Sequence, residues 1–362
     1  MKKFGFNIKS KEKKVNVFIC ENEIGRISLI ISKLKKKYSE LIVITDDNLD
    51  YYYGKKIISV LKKTKHKVKK YVIKSGEKSK NINTVSKILD FLIDNNCDRK
   101  ILIVALGGGV IGDIAGFVAS IFKRGVDLIQ IPTSLMAMVD SSLGGKTGVN
   151  TKKGKNLIGT FYQPEFIFVD TAFLDTLPFE EYQSALSEVV KYGIIYDKKF
   201  FEYLEKNAEK ILNRDKRVLK NVIFNCLSIK SRIVEKDEKE SNLRAILNLG
   251  HTFGHSYETL YSYRNIKHGF AVGWGIIIAS RISYYKNYIS ESILNRIEKV
   301  LIKLGHSEPP PPKDINQYFR TMMIDKKLSY GKRKYILPVE IGKVIITEEV
   351  DNKEIKKAIF NN

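Results

Sequence analysis

Five histidines occur in this chain, and three fall in two short strings, Gly250-His251-Thr252-Phe253-Gly254-His255 and Lys267-His268-Gly269. His251 and His255 are four residues apart, so on a helix they share one face. Such a pair can bind zinc if a third ligand comes from elsewhere. Glu188, in Ser187-Glu188-Val189-Val190-Lys191, stands in an otherwise apolar segment and is a natural third ligand. A lone histidine on an apolar face is ordinarily a hydrogen-bonded core residue. Three close together, with an acid available, point instead to a metal. Spacing alone leaves open which two histidines bind.

A second string, Gly107-Gly108-Gly109-Val110-Ile111-Gly112-Asp113, follows an apolar run and opens a helical one. Glycines there let a phosphate approach the backbone, and a helix N-terminus offers it free N–H groups. The string matches G-x-G-x-x-G, but the usual dinucleotide template places that loop after the first strand, with an acid ending the next. Here three predicted strands precede the one that leads into the loop, and Asp127 begins its strand rather than ending it. A phosphate loop in a rearranged dinucleotide fold is expected, against the plainer reading of a tight turn. Thr45-Asp46-Asp47-Asn48 ends another predicted strand, where an acid either bonds ribose hydroxyls or caps the next helix.

The third group is polar and cationic: Lys123-Arg124-Gly125, Asp140-Ser141-Ser142, Gly144-Gly145-Lys146-Thr147 and Gly154-Lys155-Asn156. Any one of these lysines would pass as solvated, but bases in several glycine-rich loops suit a phosphorylated or carboxylated substrate. Gly-Gly-Lys-Thr is not a Walker A loop, because Asp140 stands where its first glycine belongs.

These residues need a scaffold. Segments 15–20, 41–45, 68–73, 101–106, 128–131 and 166–169 read as buried strands. Helical segments 24–37, 47–63, 82–95 and 110–122 alternate with the first five. That order predicts an α/β, Rossmann-like parallel sheet covered on both faces. Beyond Leu177-Pro178 the segments 180–196, 200–212, 218–236, 252–261, 271–285, 293–304 and 315–324 carry helical periodicity, and 334–338 with 343–347 form a short strand pair. The expected organisation is an α/β domain over 1–175 and a mainly α-helical domain over 176–362.

Composition narrows the class. A length of 362 residues suits two domains, and 43% hydrophobic residues suits a folded chain. Cys20, Cys97 and Cys226 lie far apart, which argues for a reducing compartment rather than a disulfide scaffold. Segment 101–122 carries only Asp113 as a charge, yet its glycines favour strand, turn and helix over a bilayer span. The N-terminus lacks an apolar signal segment, and a cytoplasmic enzyme without a membrane partner is expected. The net charge of +23 invites a nucleic-acid reading. The lysines are scattered, however, and abundant Lys, Ile and Asn together match a compositional bias of the coding sequence. No recognition motif accompanies them, so no nucleic-acid partner is expected.

Taken together, these strings resemble the 3-dehydroquinate synthase family over nearly the whole chain. Matching strings include Thr45-Asp46, Ser75-Gly76-Glu77 with Lys80, 107–113, 130–134, 138–142, 144–148, 154–159, 188–193, 248–255, His268-Gly269 and Asp325-Lys326-Lys327. The resemblance implies a zinc or cobalt site from Glu188, His251 and His268, leaving His255 for substrate and proton handling. It implies NAD contacts from Asp46, Asn48, Glu77, Lys80, Gly108, Gly109, Val110 and Asp113. Thr133, Ser134, Thr176 and Leu177 join them. Substrate contacts are implied for Asp140, Lys146, Asn156, Lys191, Lys230, Arg244, Asn248 and His255. Lys146 and Lys155 lie toward nucleotide or substrate, and Lys326 is favoured over Lys327 for one further contact. Arg124 resembles an arginine that the family's homodimers lend across the subunit interface.

The implied reaction turns 3-deoxy-D-arabino-heptulosonate 7-phosphate into 3-dehydroquinate and phosphate. It runs through transient oxidation at C5, phosphate elimination, re-reduction, ring opening and aldol closure. Another sugar-phosphate cyclase and a metal-dependent polyol dehydrogenase are the competing readings. Two departures from the family pattern stand out. Glu180 follows Leu177-Pro178-Phe179 where an arginine is common, and Phe270 stands where His-Gly-Glu-Ala-Val would place an acid.

Overall fold

Strands rich in Ile, Val and Leu on both faces are stable inside a parallel sheet covered by helices, and the first half of the chain builds one. The computed structural model describes residues 1–8, 13–240, 243–261, 266–328 and 333–361, the side chains of 323–328 excepted. β1 (Lys2–Ile8) and β2 (Lys13–Cys20) pair antiparallel. After α1 (Arg26–Ser32) come β3 (Glu40–Asp46), α2 (Asp47–Leu49), α3 (Lys55–Lys62) and β4 (Lys67–Ile73). α4 (Ile82–Asp94) leads into β5 (Leu102–Gly107), α5 (Gly109–Ile121) and β6 (Asp127–Pro132). A hairpin of β7 (Lys146–Thr151) and β8 (Gly154–Phe161) precedes β9 (Phe166–Asp170).

The main sheet runs β1-β2-β9-β6-β5-β3-β4, parallel everywhere except between β1 and β2. All six residues of β5 are buried. Alternate side chains Ile42, Ile44, Ile103 and Ala105 join Val85, Ile88, Leu92, Ile114 and Val118 of α4 and α5 in one core. Segment 101–122 is thus strand, turn and helix, and no helix among the described residues is long and apolar enough to cross a membrane.

The second half is helical: α6 (Phe179–Ser184), α7 (Leu186–Tyr196), α8 (Lys198–Leu212), α9 (Lys216–Lys236), a 3-10 turn (Leu243–Asn248), α10 (His251–Leu260) and α11 (His268–Tyr285). It ends with α12 (Glu291–Lys303), α13 (Ile315–Leu328), the antiparallel β10 (Tyr335–Glu340) and β11 (Lys343–Thr347), and α14 (Asn352–Phe360). Asp197, Ser290 and Asp351 cap α8, α12 and α14 by accepting a backbone N–H. Two compact units result: Met1–Leu177 with Lys230–Glu235, and Pro178–Ile229 with Lys236–Asn362.

The α/β-then-helical class expected from the sequence is the one observed. β1, the β7–β8 hairpin and α14 were not expected. Residues of β7 and β8 are mostly Gly, Lys, Asn and Thr, so their sequence reads as loop; backbone pairing of Gly148 with Gly159 makes them a ribbon. Segment 24–37 is a shorter helix than its periodicity implies, and 47–63 is broken by a π-turn at Asp50–Gly54.

Candidate nucleotide and metal sites

In the second unit, three elements bring acid and imidazole together. Glu188 sits in a fully buried stretch of α7 and is 1% exposed. His251 is the first residue of α10 and His268 the first of α11. The Nε2 atoms of His251 and His268 lie 3.4 and 3.7 Å from Glu188 Oε1. Donors bound tetrahedrally to zinc at about 2.0–2.1 Å stand about 3.3–3.4 Å apart, so this carboxylate and these two imidazoles fit a divalent ion. Their ligand atoms all fall within 4.8 Å of one another.

Close backbone packing sets that geometry. A Cβ on Gly275 of α11 would lie 1.9 Å from the Gly250 carbonyl oxygen at the start of α10. One on Gly269 would lie 1.8 Å from the Ser184 carbonyl oxygen. Gly250 itself takes φ +81°, which a side chain would strain. Both histidines begin helices, where the macrodipole disfavours a cation, so buried acids must offset it.

The electrostatics differ between the two imidazoles. Burial pushes His251 down to about 3, against the pull of Glu188. Burial also acts to lower His268, but hydrogen bonds to Glu188 and Glu258 outweigh it and raise the ring to about 9. Lys191, one turn along α7 and 2% exposed, pairs with Glu188 Oε2. His255 lies with Glu258 and His268 in a second cluster of possible ligands. Glu258 was missed in the sequence, although it stands seven residues after His251 and so shares the face of His251 and His255.

Other expected residues of this unit are held by the acidic residues Asp237, Glu238 and Glu240, through side chain or backbone. Arg244, 2% exposed, donates from its backbone N to Asp237 Oδ2 (2.9 Å) and from Nη1 to the Glu238 carbonyl (2.6 Å). Asn248 Nδ2 donates to Glu240 Oε1 at 3.2 Å. Lys326 belongs to α13, but its side chain lies outside the described residues. At the two departures from the family pattern, Lys267 pairs with both Glu180 (3.5 Å) and Glu181 (2.7 Å). Phe270 meets the His306 ring edge-on, 5.3 Å between centroids.

In the first unit, α5 starts at Gly108 with no side-chain cap, which leaves its first N–H groups available to an anion. Cβ atoms on Gly108 and Gly109 would sit 3.3 and 3.1 Å from the hydroxyls of Ser134 and Ser141. The Thr133 N–H donates to the Gly107 carbonyl, and Val110 is half-buried in the first turn. Asp46 caps α2 by accepting from the Leu49 N–H (3.0 Å), and burial raises its carboxyl. Asn48 is exposed on that helix. Thr176 Oγ1 lies 2.8 Å from the Tyr53 hydroxyl, next to Leu177.

A polar chain ties several of the expected residues together. Lys80, 6% exposed, pairs with Asp113 and donates to Asn156 Oδ1 at 2.5 Å. The Asn156 N–H donates to Asn150 Oδ1 (3.0 Å), and Asn150 Nδ2 donates to Glu77 Oε1 (2.7 Å). Burial raises the Asp113 carboxyl, with Lys80 opposing. Asn150 closes this chain and was not singled out from the sequence. Lys230 donates to both the carbonyl (2.7 Å) and Oδ1 (2.8 Å) of Asp140. Lys146 and Lys155 are exposed on the hairpin. Arg124 is exposed in a turn whose residues Lys123, Arg124 and Gly125 take φ of +48°, +65° and +120°. Two successive non-glycine residues there cost about 1–2 kcal/mol each, a strain that usually accompanies a role.

Residues 70–184 match the family model for the 3-dehydroquinate synthase N-terminal domain, and 185–328 match that for the C-terminal domain. The chain is 38% identical over 355 residues to a 3-dehydroquinate synthase of Ruminiclostridium cellulolyticum, covering 98% of each. It is 48% identical over 286 residues to one of Dictyoglomus thermophilum, covering 78% of this chain and 80% of that one. A solved 2-deoxy-scyllo-inosose synthase, complexed with carbaglucose-6-phosphate, NAD⁺ and Co²⁺, superposes with a TM-score of 0.88 at 27% identity, covering 99% of both chains.

Proposed function

This chain belongs to the 3-dehydroquinate synthase family, and from that premise we propose how its residues carry the reaction. It is a lyase that converts 3-deoxy-D-arabino-heptulosonate 7-phosphate to 3-dehydroquinate and phosphate, within the shikimate route to aromatic amino acids. The observation that carries the residue-level reading is the Glu188, His251 and His268 cluster in a chain matched end to end by that family. When bound, NAD⁺ supplies a reversible hydride acceptor, and zinc or cobalt supplies a Lewis acid for the hydroxyl being oxidised.

Glu188, His251 and His268 hold the ion. Gly108, Gly109 and Val110 receive the pyrophosphate at the open start of α5, with Thr133 and Ser134 behind them. Asp46 and Asn48 serve the ribose, Glu77, Lys80 and Asp113 the rest of the nucleotide, and Thr176 and Leu177 its far end. Lys155 lies beside nucleotide or substrate, and Lys146 serves both.

A phosphorylated sugar acid brings a phosphate and a carboxylate, which accounts for the many cations. In the first unit, Lys146, Lys230, Asn156 and Asp140 bind it, Asp140 holding the Lys230 ammonium in place. In the second unit, Lys191, Arg244, Asn248 and His255 do so, with Lys326 as a further cation. His255 holds and moves a proton.

The chain works as a cytoplasmic homodimer in which Arg124 reaches the partner's phosphate. Its exposed, strained turn supports this, as do exposed Leu157, Ile158 and Phe161 on β8.

The test is phosphate release from the heptulosonate phosphate with NAD and zinc, repeated after chelation. Expected is one phosphate per 3-dehydroquinate, no net NADH, and loss of turnover on chelation. Accumulating NADH, or turnover only of sedoheptulose 7-phosphate or glucose 6-phosphate, overturns the assignment.

A further inference from the structure

Glu258 is 3% exposed, and a carboxylate at that depth costs several kcal/mol unless it is partnered. Its Oε2 lies 3.3 Å from Nδ1 of His268 and 3.9 Å from Nε2 of His255. The other nitrogen of His268, Nε2, faces Glu188 Oε1 at 3.7 Å. One imidazole therefore stands between two carboxylates with a different nitrogen turned to each. A histidine that binds a metal through Nε2 carries its remaining proton on Nδ1, and the acceptor found there fixes both tautomer and ring orientation.

His251 has the same arrangement by other means. Its Nδ1 lies 3.2 Å from the Leu249 carbonyl oxygen while Nε2 faces Glu188. A backbone carbonyl is within reach because Leu249 immediately precedes the turn into α10. His268 enters α11 from Lys267, and there a side chain from the neighbouring helix, Glu258 of α10, stands at Nδ1.

We propose that Glu258 is a positioning residue: it accepts a hydrogen bond from Nδ1–H of His268, so that Nε2 is held toward Glu188 and His251, and it orients His255 from the same oxygen. This rests on the reading of Glu188, His251 and His268 as the metal ligands. Glu258 touches neither the reacting atoms nor the ion; it acts through the two rings. Its place on α10, seven residues after His251 and three after His255, lets one helix contribute a ligand, a proton-handling group and their common support.

The test is Co²⁺ titration of the full-length protein, read by visible absorption, beside kcat and KM for the same variants. Glu258→Met removes the acceptor, Glu258→Gln keeps a carbonyl oxygen, and Glu258→Asp keeps the charge on a shorter arm. Expected is one equivalent bound by the wild type, about ten- to a hundredfold weaker binding and a shifted band for the Met variant, and partial recovery for Gln. Unchanged affinity and spectrum in Glu258→Met overturn the proposal. Two equivalents in the wild type, one of them lost with Glu258, overturn it as well, because Glu258 would then be a ligand. Absence of stoichiometric binding by the wild type instead overturns the underlying metal assignment. If the Met variant does not fold, the Gln and Asp variants carry the comparison, and wild-type behaviour in both overturns the proposal.

Discussion

His306 shows how one buried side chain sets a condition on the fold. It is 3% exposed, and burial pushes its pKa down to about 4 from 6.5, with only a backbone contact at Gln183 opposing. The fold favours the neutral ring, so its contribution is whole above pH 6.5 and drains away as pH falls toward 4. At about 1.36 kcal/mol per unit, the loss over that interval amounts to about 3 kcal/mol. Thermal midpoints measured from pH 7.5 to 5 should therefore fall less steeply for His306→Leu than for the wild type; parallel profiles refute this. At the same scale, which acid and imidazoles cluster in the second unit was largely legible from the chain. Glu188 stood out because an acid inside an apolar helix has few structural reasons to be there. The choice among His251, His255 and His268 was not legible from spacing. Helical periodicity pairs residues four apart, whereas here the start of a separate helix is brought beside them by tertiary packing. Glu258 and Asn150 went unnoticed because each works on another side chain and carries no motif of its own.

Among the elements, long apolar strands and periodic helices announced themselves, and the β7–β8 hairpin did not. Its composition is that of a loop, and its pairing depends on what glycine leaves out. A Cβ on Gly159 would stand 2.0 Å from the Thr147 carbonyl oxygen, and one on Gly148 would stand 2.5 Å from that of Ile158. Gly159→Ala must push the strands apart, at a cost of about 1–3 kcal/mol. Lys146, Lys155 and Asn156 ride on those strands, and Asn156 is tied through Lys80 to Asp113. Displacement of groups that hold a substrate by about 1 Å lowers turnover by about a hundredfold. Gly159→Ala should therefore reduce phosphate release about ten- to a hundredfold while zinc, whose proposed ligands stand on α7, α10 and α11, stays stoichiometric. Loss of zinc in this variant, or full activity, would falsify that division of labour. Elsewhere in the sheet, β1 escaped notice because its three buried or half-buried positions, Phe4, Phe6 and Ile8, alternate along an otherwise polar segment.

For the whole molecule, the order of elements was legible and the number of chains in a working enzyme was not. Nothing in periodicity tells an exposed apolar strand that meets solvent from one that meets a second copy. A mixed dimer settles the question for Arg124. Arg124→Ala and His268→Ala chains, each inactive alone, should regain partial activity when combined, because one site then has both its own His268 and the partner's arginine. No recovery argues for self-contained sites. The charge of +23 belongs to this scale too, spread over a surface where lysine costs the fold little. The backbone contacts at Gly250, Gly269 and Gly275 tell a different story about how such a chain changes over time. Glycine codons begin with two guanines, which a coding bias of the kind that abundant lysine, isoleucine and asparagine match disfavours. At these three positions that bias has almost nowhere to go: the first carbon of any side chain lands on a carbonyl oxygen, and the helices that begin with the histidines part.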